Sequence, residues 1–125
     1  MNPRIAIGLA ITAVGVVLAF MPHQVGEFLG RPTTTNLEII EARVSVGGLL
    51  TGIGLSIAAI RSLRPRLVAF ATLALWMMVG FGGVRILGFV VDGDPDGKQW
   101  FWLAVEAVIF VVAAWYLRRA RASDA

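Results

Sequence analysis

The chain has 125 residues, of which 58% are hydrophobic and only 15% are charged, and its formal net charge is +3. Soluble domains are roughly 45–50% apolar and about 25% charged, so this composition argues against an ordinary soluble domain. The sequence contains no cysteine, which excludes disulfides, thiolate chemistry and cysteine metal sites. The apolar residues come in blocks of roughly the 17–25 residues that cross a bilayer core, and they predict membrane-spanning helices.

Four apolar blocks predict an all-α, polytopic membrane protein, an antiparallel four-helix transmembrane bundle that forms one domain over residues 1–125. The predicted spans cover residues 5–21, 37–60, 67–91 and 99–117. We interpret the first block as an uncleaved span and not as a signal peptide, because no small-x-small pair precedes Pro22 and further spans follow. The first block also carries a stripe of small residues at 4-3-4 spacing, typical of helices that pack closely in lipid: Gly8, Thr12, Gly15 and Ala19.

The segment 22–36 is predicted to be a loop, because two prolines and two glycines interrupt it. Residues 33–36 then supply candidate N-caps, and Glu38 follows in the first helical turn, where the helix dipole favours an anion. Polar and small residues recur along the second span at i+3 or i+4, so we expect them to share the face that points into the bundle. These residues are Glu38, Glu41, Ser45, Gly48 and Gly52.

A basic turn over residues 61–66 precedes the third span, in which Gly80, Gly82 and Gly83 allow a bend or a tight helix contact. A turn over residues 92–97, rich in aspartate and glycine, leads into the last span. The glycines within the spans are predicted to act in helix packing. The positions singled out for this role are Gly8, Gly15, Gly47, Gly48, Gly52, Gly82 and Gly83.

The arginines predict the orientation in the membrane. Four spans bring the N-terminus, the second loop and the C-terminus to one side, which then holds most of the 11 basic residues. On that side lie Arg4, Arg61, Arg64, Arg66, Arg118, Arg119 and Arg121. The positive-inside rule places this side, with both termini, in the cytoplasm of a plasma-membrane protein. Orientation explains the positive charge without a nucleic-acid partner, and recruitment of anionic lipid is a secondary interpretation.

Three of the spans contain ionisable residues. Such residues cost roughly 2.5–3.5 kcal/mol each at a helix centre and usually pair inside the protein. Arg85 and Glu106 each lie six or seven residues from the end of their span, about 9–10 Å below the same turn at 1.5 Å per residue. Because the third and fourth spans are antiparallel neighbours, we expect an Arg85–Glu106 ion pair. Glu41 and Arg43 would complete a four-charge, net-neutral cluster in the outer half of the bundle.

Two interpretations of this cluster stay open. The charges either fix the register of the helices, or they line a small polar pocket for a ligand or a proton. Metal binding is disfavoured, because Glu38, Glu41 and Glu106 without a histidine make a poor transition-metal site. The sequence also lacks a phosphate-binding glycine loop, a nucleophile elbow and a zincin motif. We therefore expect no metal, no cofactor and no catalytic residue.

The pattern Glu41-x-Arg43-x3-Gly47-Gly48, with Arg85 on the third span and Glu106 on the fourth, resembles a bacterial family of small four-helix integral membrane proteins. That family is known only as a domain of unknown function. The resemblance covers nearly the whole chain and implies the bacterial inner membrane, but it implies no activity. In size and helix count the chain is also similar to DoxX-like membrane proteins, a likeness of architecture that assigns no function.

The leading hypothesis is a non-enzymatic accessory or assembly subunit whose partners are the lipid bilayer and either another protein or further copies of the chain. The alternative is a small transporter or channel that uses Glu41, Arg85 and Glu106. The chain departs from the small four-helix multidrug exporters, which carry an essential glutamate in the first helix. A lipid- or quinone-handling enzyme is a further alternative that no catalytic motif supports.

Overall fold

The protein was analysed as a computed structural model that describes residues 2–93 and 95–124. Six α-helices follow one another within these residues: α1 (Pro3–Ala19), α2 (Pro22–Leu29), α3 (Asn36–Ala42), α4 (Leu49–Ala59), α5 (Arg66–Asp92) and α6 (Gly97–Asp124). A π-helical segment, Arg43–Gly48, joins α3 to α4. These three pieces form one continuous helix of 24 residues, Asn36–Ala59.

In the described part of the chain, three helices are long and apolar enough to cross a membrane: Asn36–Ala59, Arg66–Asp92 and Gly97–Ser123. A fourth crossing arises if α1 and α2, which meet at an angle of 94°, count as one broken span. Bulky apolar side chains cover the outer faces of α5 and α6 and are exposed, including Phe70, Val108 and Val111, as expected for contact with lipid. The prediction of an all-helical membrane bundle is confirmed.

The contact between α1 and the long helix joins two stripes of small residues. Gly8, Gly15 and Ala19 of α1 pack on Ala58, Thr51 and Gly47, so the two helices run antiparallel along most of α1. An added Cβ at Gly8 would lie 2.7 Å from the backbone nitrogen of Ala58, and one at Gly47 would lie 2.7 Å from the Cα of Ala19. Because those neighbours are backbone atoms, the small side chains are what allows α1 and α4 to touch.

A second small-residue face of the same long helix packs on α5. An added Cβ at Gly52 would lie 2.9 Å from the Cα of Met77, and one at Gly80 would lie 2.6 Å from the Cα of Gly52. Gly48 lies in this contact as well, 3.3 Å from the oxygen of Gly80 by the same construction. The long helix therefore lies between α1 and α5, and α6 packs against α5.

Two of the glycines predicted to act in helix packing make no close contact with another described helix. An added Cβ at Gly82 or Gly83 would meet no atom within 4 Å among the described residues. Both lie close to Gly80 on the third span. Gly80 does make a close helix contact, although it was not among the packing glycines predicted from the sequence. Successive helical residues point about 100° apart, because a turn takes 3.6 residues. Gly82 is two residues from Gly80 and therefore points about 200° away from it, away from α4. Gly83 is three residues from Gly80 and lies almost one turn further along the helix, where no described atom comes within 4 Å of an added Cβ.

The predicted loop over residues 22–36 contains the eight-residue helix α2. Pro22 begins this helix, at a position where a missing N–H costs little. Gly30 ends it in the left-handed conformation, with φ of 68°. The next helix begins as predicted, because the side chain of Thr35 caps α3 and Glu38 completes a capping box.

The last helix also differs from its prediction, because it runs seven residues past the predicted end at Leu117. Residues 118–122 of this extension are all arginine or alanine, which are strong helix formers. At the opposite end of the bundle, the amide of Asn36 donates to the oxygen of Gly93 at 3.4 Å. We call that end, with α2 and the α5–α6 turn, the α2 end, and we call the end with Arg61 and Arg64 the arginine end.

Candidate functional site

The centre of the site is an ion pair between α5 and α6. Nε of Arg85 lies 2.8 Å from Oε1 of Glu106, and Nη2 lies 3.3 Å from Oε2. Arg85 is 5% exposed and Glu106 is 8% exposed. The two parallel contacts match the fork geometry that makes arginine–carboxylate pairs strong. The structure thus places these two residues in the contact that their equal depth predicts, and a functional role for the pair stays a prediction.

Gln99, near the start of α6, links the ion pair to α3. Its Oε1 accepts from Nη1 of Arg85 at 2.5 Å, and its Nε2 donates to Oε1 of Glu41 at 2.9 Å. The side chain is fully buried, and its backbone N–H donates to Oδ1 of Asp96 at 2.9 Å. Sequence reasoning missed this residue, because a neutral amide at a helix mouth resembles an ordinary interface residue. A usable signal exists: Gln99 precedes Glu106 by two helical turns and so shares its face.

Glu41 closes the network from α3 but is not enclosed by it. Its Oε1 accepts from both Gln99 and Nη1 of Arg85, the latter at 3.3 Å. Within the described part of the chain, no group donates a hydrogen bond to its Oε2, and its side chain is 44% exposed. We call Glu41, Arg85, Gln99 and Glu106 the Arg85 network. Its two carboxylates and one guanidinium give it one excess negative charge.

Arg43 belongs to a separate ion pair, which corrects the predicted four-charge cluster. Its Nε lies 2.9 Å from Oδ2 of Asp92 and its Nη2 lies 3.0 Å from Oδ1. Its Nη1 donates to the oxygen of Ala19 at 2.6 Å, one of the carbonyls that the end of α1 leaves without a helical partner. The prediction assigned Asp92 to a turn, but α5 extends through this residue. The Asp92 carboxylate therefore lies beside Arg43 and takes the place that the prediction gave to Glu41.

The buried members of the Arg85 network and of the Arg43–Asp92 pair are satisfied internally. Every buried side-chain nitrogen and oxygen in the described ranges has a hydrogen-bond partner. In the same ranges, no three histidine, cysteine, aspartate or glutamate side chains gather as metal ligands would. Burying charges in an apolar bundle is tolerable only when they are paired in this way. The Arg85 network and the Arg43–Asp92 pair therefore both tie the long middle helix to α5.

An open cleft of about 480 Å³ borders the Arg85 network. Residues of the long helix, α5 and α6 all contribute to its lining. It is lined by Leu37, Glu41, Val44, Ser45, Phe81, Arg85, Lys98, Trp102 and Glu106. On α6 the lining positions recur every four residues, so one face of that helix is turned to the cleft. We call this space the Glu41 cleft.

Fold and site together define a small helical membrane protein with a buried network of charges beside an open cleft. The chain belongs to the DUF4345 family, described as a domain of unknown function, which matches residues 4–117. A comparison with curated proteins and a comparison with solved structures each gave no match. The predicted membership of an uncharacterised family is thereby confirmed, and the likeness to DoxX-like proteins stays a prediction.

Proposed function

We propose that the protein is a non-enzymatic accessory or assembly subunit of a membrane complex. The observation that supports this role is the use made of the buried charges. Arg85, Gln99 and Glu106 bond to one another and, through Glu41, join α3, α5 and α6. Charged groups that bond to one another between helices stabilise the fold and are not available to act on a substrate.

The position of α6 supports a role in assembly. This helix packs mainly on α5 and lies at the edge of the bundle. Its outer face is apolar and wide, with Phe101, Val108 and Val112 each more than half exposed. A membrane helix with one neighbour can take a second one without rearranging the first, so we propose this face of α6 as the place where a partner protein or another copy of the chain binds.

The test is purification of the tagged protein from native membranes under mild detergent, followed by mass spectrometry of the proteins and lipids that remain bound. We expect one stoichiometric protein partner or a defined oligomer. Replacing Val108 and Val112 together by bulkier phenylalanines should release it. Replacing the exposed Val16 and Phe20 of the α1 region together by leucine is the control and should not release it. Recovery of a monomer with lipid alone would argue against an assembly role.

We further propose that the protein lies in the bacterial plasma membrane with its arginine end, and so both termini, in the cytoplasm. Arg4 donates to the oxygens of Ile57 and Ala58, so the start of α1 lies at the arginine end. The positive-inside rule assigns such an end to the cytoplasm.

The chain has no cysteine, so single cysteines can report the orientation directly. A membrane-impermeant maleimide should label Gln24→Cys of α2 in intact spheroplasts and should label Ser62→Cys only after permeabilisation. The reverse pattern would refute the proposed orientation.

A small transporter is the second candidate, and the half-exposed Glu41 beside an open cleft is the observation that favours it. In proteoliposomes, a transporter should show substrate-dependent proton flux that disappears in Glu41→Gln. Unchanged flux in that variant, or none in the wild-type protein, would count against this candidate.

A further inference from the structure

We propose that the Glu41 cleft binds an amphipathic organic amine, a molecule that carries a protonated amine next to an apolar body. This proposal rests on the cleft alone and does not depend on the role in assembly. Its grounds are the excess charge of the Arg85 network, the size of the cleft, and the side chains that line it.

Charge points to a cationic ligand. Both oxygens of Glu106 are held by Arg85, whereas Glu41 shares only Oε1 with the network. Its half-exposed side chain faces a space bordered by apolar helices, where an unbalanced carboxylate is costly. Lys98 lies at the rim of the same cleft but makes no ion pair with a described residue. Its long side chain can extend to water, which leaves Glu41 open to an incoming cation.

Size points to a small molecule. The cleft holds about 480 Å³, within the range of roughly 300–1,000 Å³ that is usual for small-molecule sites. A helix is at least about 10 Å across and rises 5.4 Å per turn, so three turns would need roughly 1,200 Å³. A partner helix would therefore cover the cleft without entering it, while an amine with one or two rings or a short alkyl chain fits inside.

The lining suits such a ligand. Phe81 and Trp102 present aromatic surface, and Trp102 is 42% exposed. Aromatic faces attract ammonium groups and also pack against apolar bodies. Val44 and Ser45 lie in the π-helical segment, a departure from α-helix that occurs frequently at functional sites. Carboxylate, aromatic ring and irregular helix thus meet in one place.

The test uses the full-length protein in nanodiscs with dansylcadaverine, a fluorescent primary amine, and with its N-acetyl derivative, which is neutral. Energy transfer from tryptophan to the dansyl group reports binding. We expect saturable binding of the amine at least tenfold tighter than that of the acetylated compound, because a hydrogen bond between two charged groups is stronger than one from a neutral donor. Equal binding of both compounds would show partition into lipid and would overturn the proposal.

Matched variants locate the site. Glu41→Gln keeps an oxygen for Gln99 and should weaken binding of the amine by about tenfold with no change in the melting temperature. Glu38→Gln, one turn earlier, should leave binding unchanged, because Glu38 bonds to Thr34 and Thr35 away from the network. Equal losses in the two variants, or no loss in Glu41→Gln, would overturn the assignment.

The tryptophans provide an independent pair. Trp102→Leu should weaken binding severalfold, as measured by competition of unlabelled benzylamine with the probe. Trp100 packs on Phe89 with ring centroids 4.9 Å apart and does not line the cleft, so Trp100→Leu should bind normally. Normal binding in Trp102→Leu would refute a contact between the ligand and Trp102, and with it the proposed position of the ligand.

Discussion

Replacement of Gly80 by alanine should separate α4 from α5. An added Cβ at this position would lie 2.5 Å from the oxygen of Gly48 and 2.6 Å from the Cα of Gly52, whereas ordinary contact begins at 3.4 Å. The neighbours are backbone atoms and have no rotamer by which to withdraw, so the helices must move apart by about 0.9 Å. Overpacking of this kind costs about 1–3 kcal/mol.

Gly82→Ala is the matched control, because an added Cβ there meets no atom within 4 Å among the described residues. Alanine is favoured over glycine in a helix by about 1 kcal/mol, so this variant should be neutral or slightly more stable. The two variants should therefore differ by about 1–4 kcal/mol in the free energy of unfolding, measured by titration with sodium dodecyl sulfate and circular dichroism. Equal shifts in the two proteins would mean that the α4–α5 contact is looser than the structure indicates.

Three further variants test the polar contacts by the same titration. Arg85→Met should lower the free energy of unfolding by about 3–5 kcal/mol, because it leaves two carboxylates without a cation. The double variant Arg85→Met, Glu106→Met should recover part of that loss, whereas a double variant that loses the sum of the two single losses would refute the pairing. Arg4→Met should cost about 1–3 kcal/mol and speed hydrogen exchange at the end of α4, since Arg4 donates to three carbonyl oxygens there; unchanged exchange would contradict that cap. Thr35→Ala should cost about 1 kcal/mol and leave Arg85 paired, whereas no loss would mean that the capping box with Glu38 contributes little.

The sequence predicts well the features that depend on position along a helix. The limits of α5 lie within one residue of the predicted span, because Pro65 and Gly93 bound a long apolar run, residues 67–91, in which Arg85 is the one charged residue. The contact between Arg85 and Glu106 follows from the short turn between two helices, which equalises their depth. In each case, length along a helix translates directly into position, so no knowledge of side-chain packing is required.

Features that depend on packing could not be predicted in the same way. Asp92 and Gln99 have ordinary identities for a turn and a helix mouth, and their burial follows only from the chain that covers them. The stripe of small residues on α1 can be recognised in the sequence by its 4-3-4 spacing, but the complementary stripe on the long helix cannot. That helix is rich in small residues on every side, and its glycines serve two neighbours, with Gly47 on α1 and Gly52 on α5.

The π-helical segment explains why a single helical face did not describe the second span. In an uninterrupted α-helix, Glu41 and Gly48 would lie on one face, because they are two turns apart. A π-helical segment bonds i to i+5 and so takes more residues per turn, and here the N–H of Leu49 bonds to the oxygen of Val44. Residues after the segment are therefore rotated relative to those before it. Glu41 can face α6 and the cleft while Gly48 packs against α5, so one helix supplies both a wall of the cleft and the tight contact that holds the bundle.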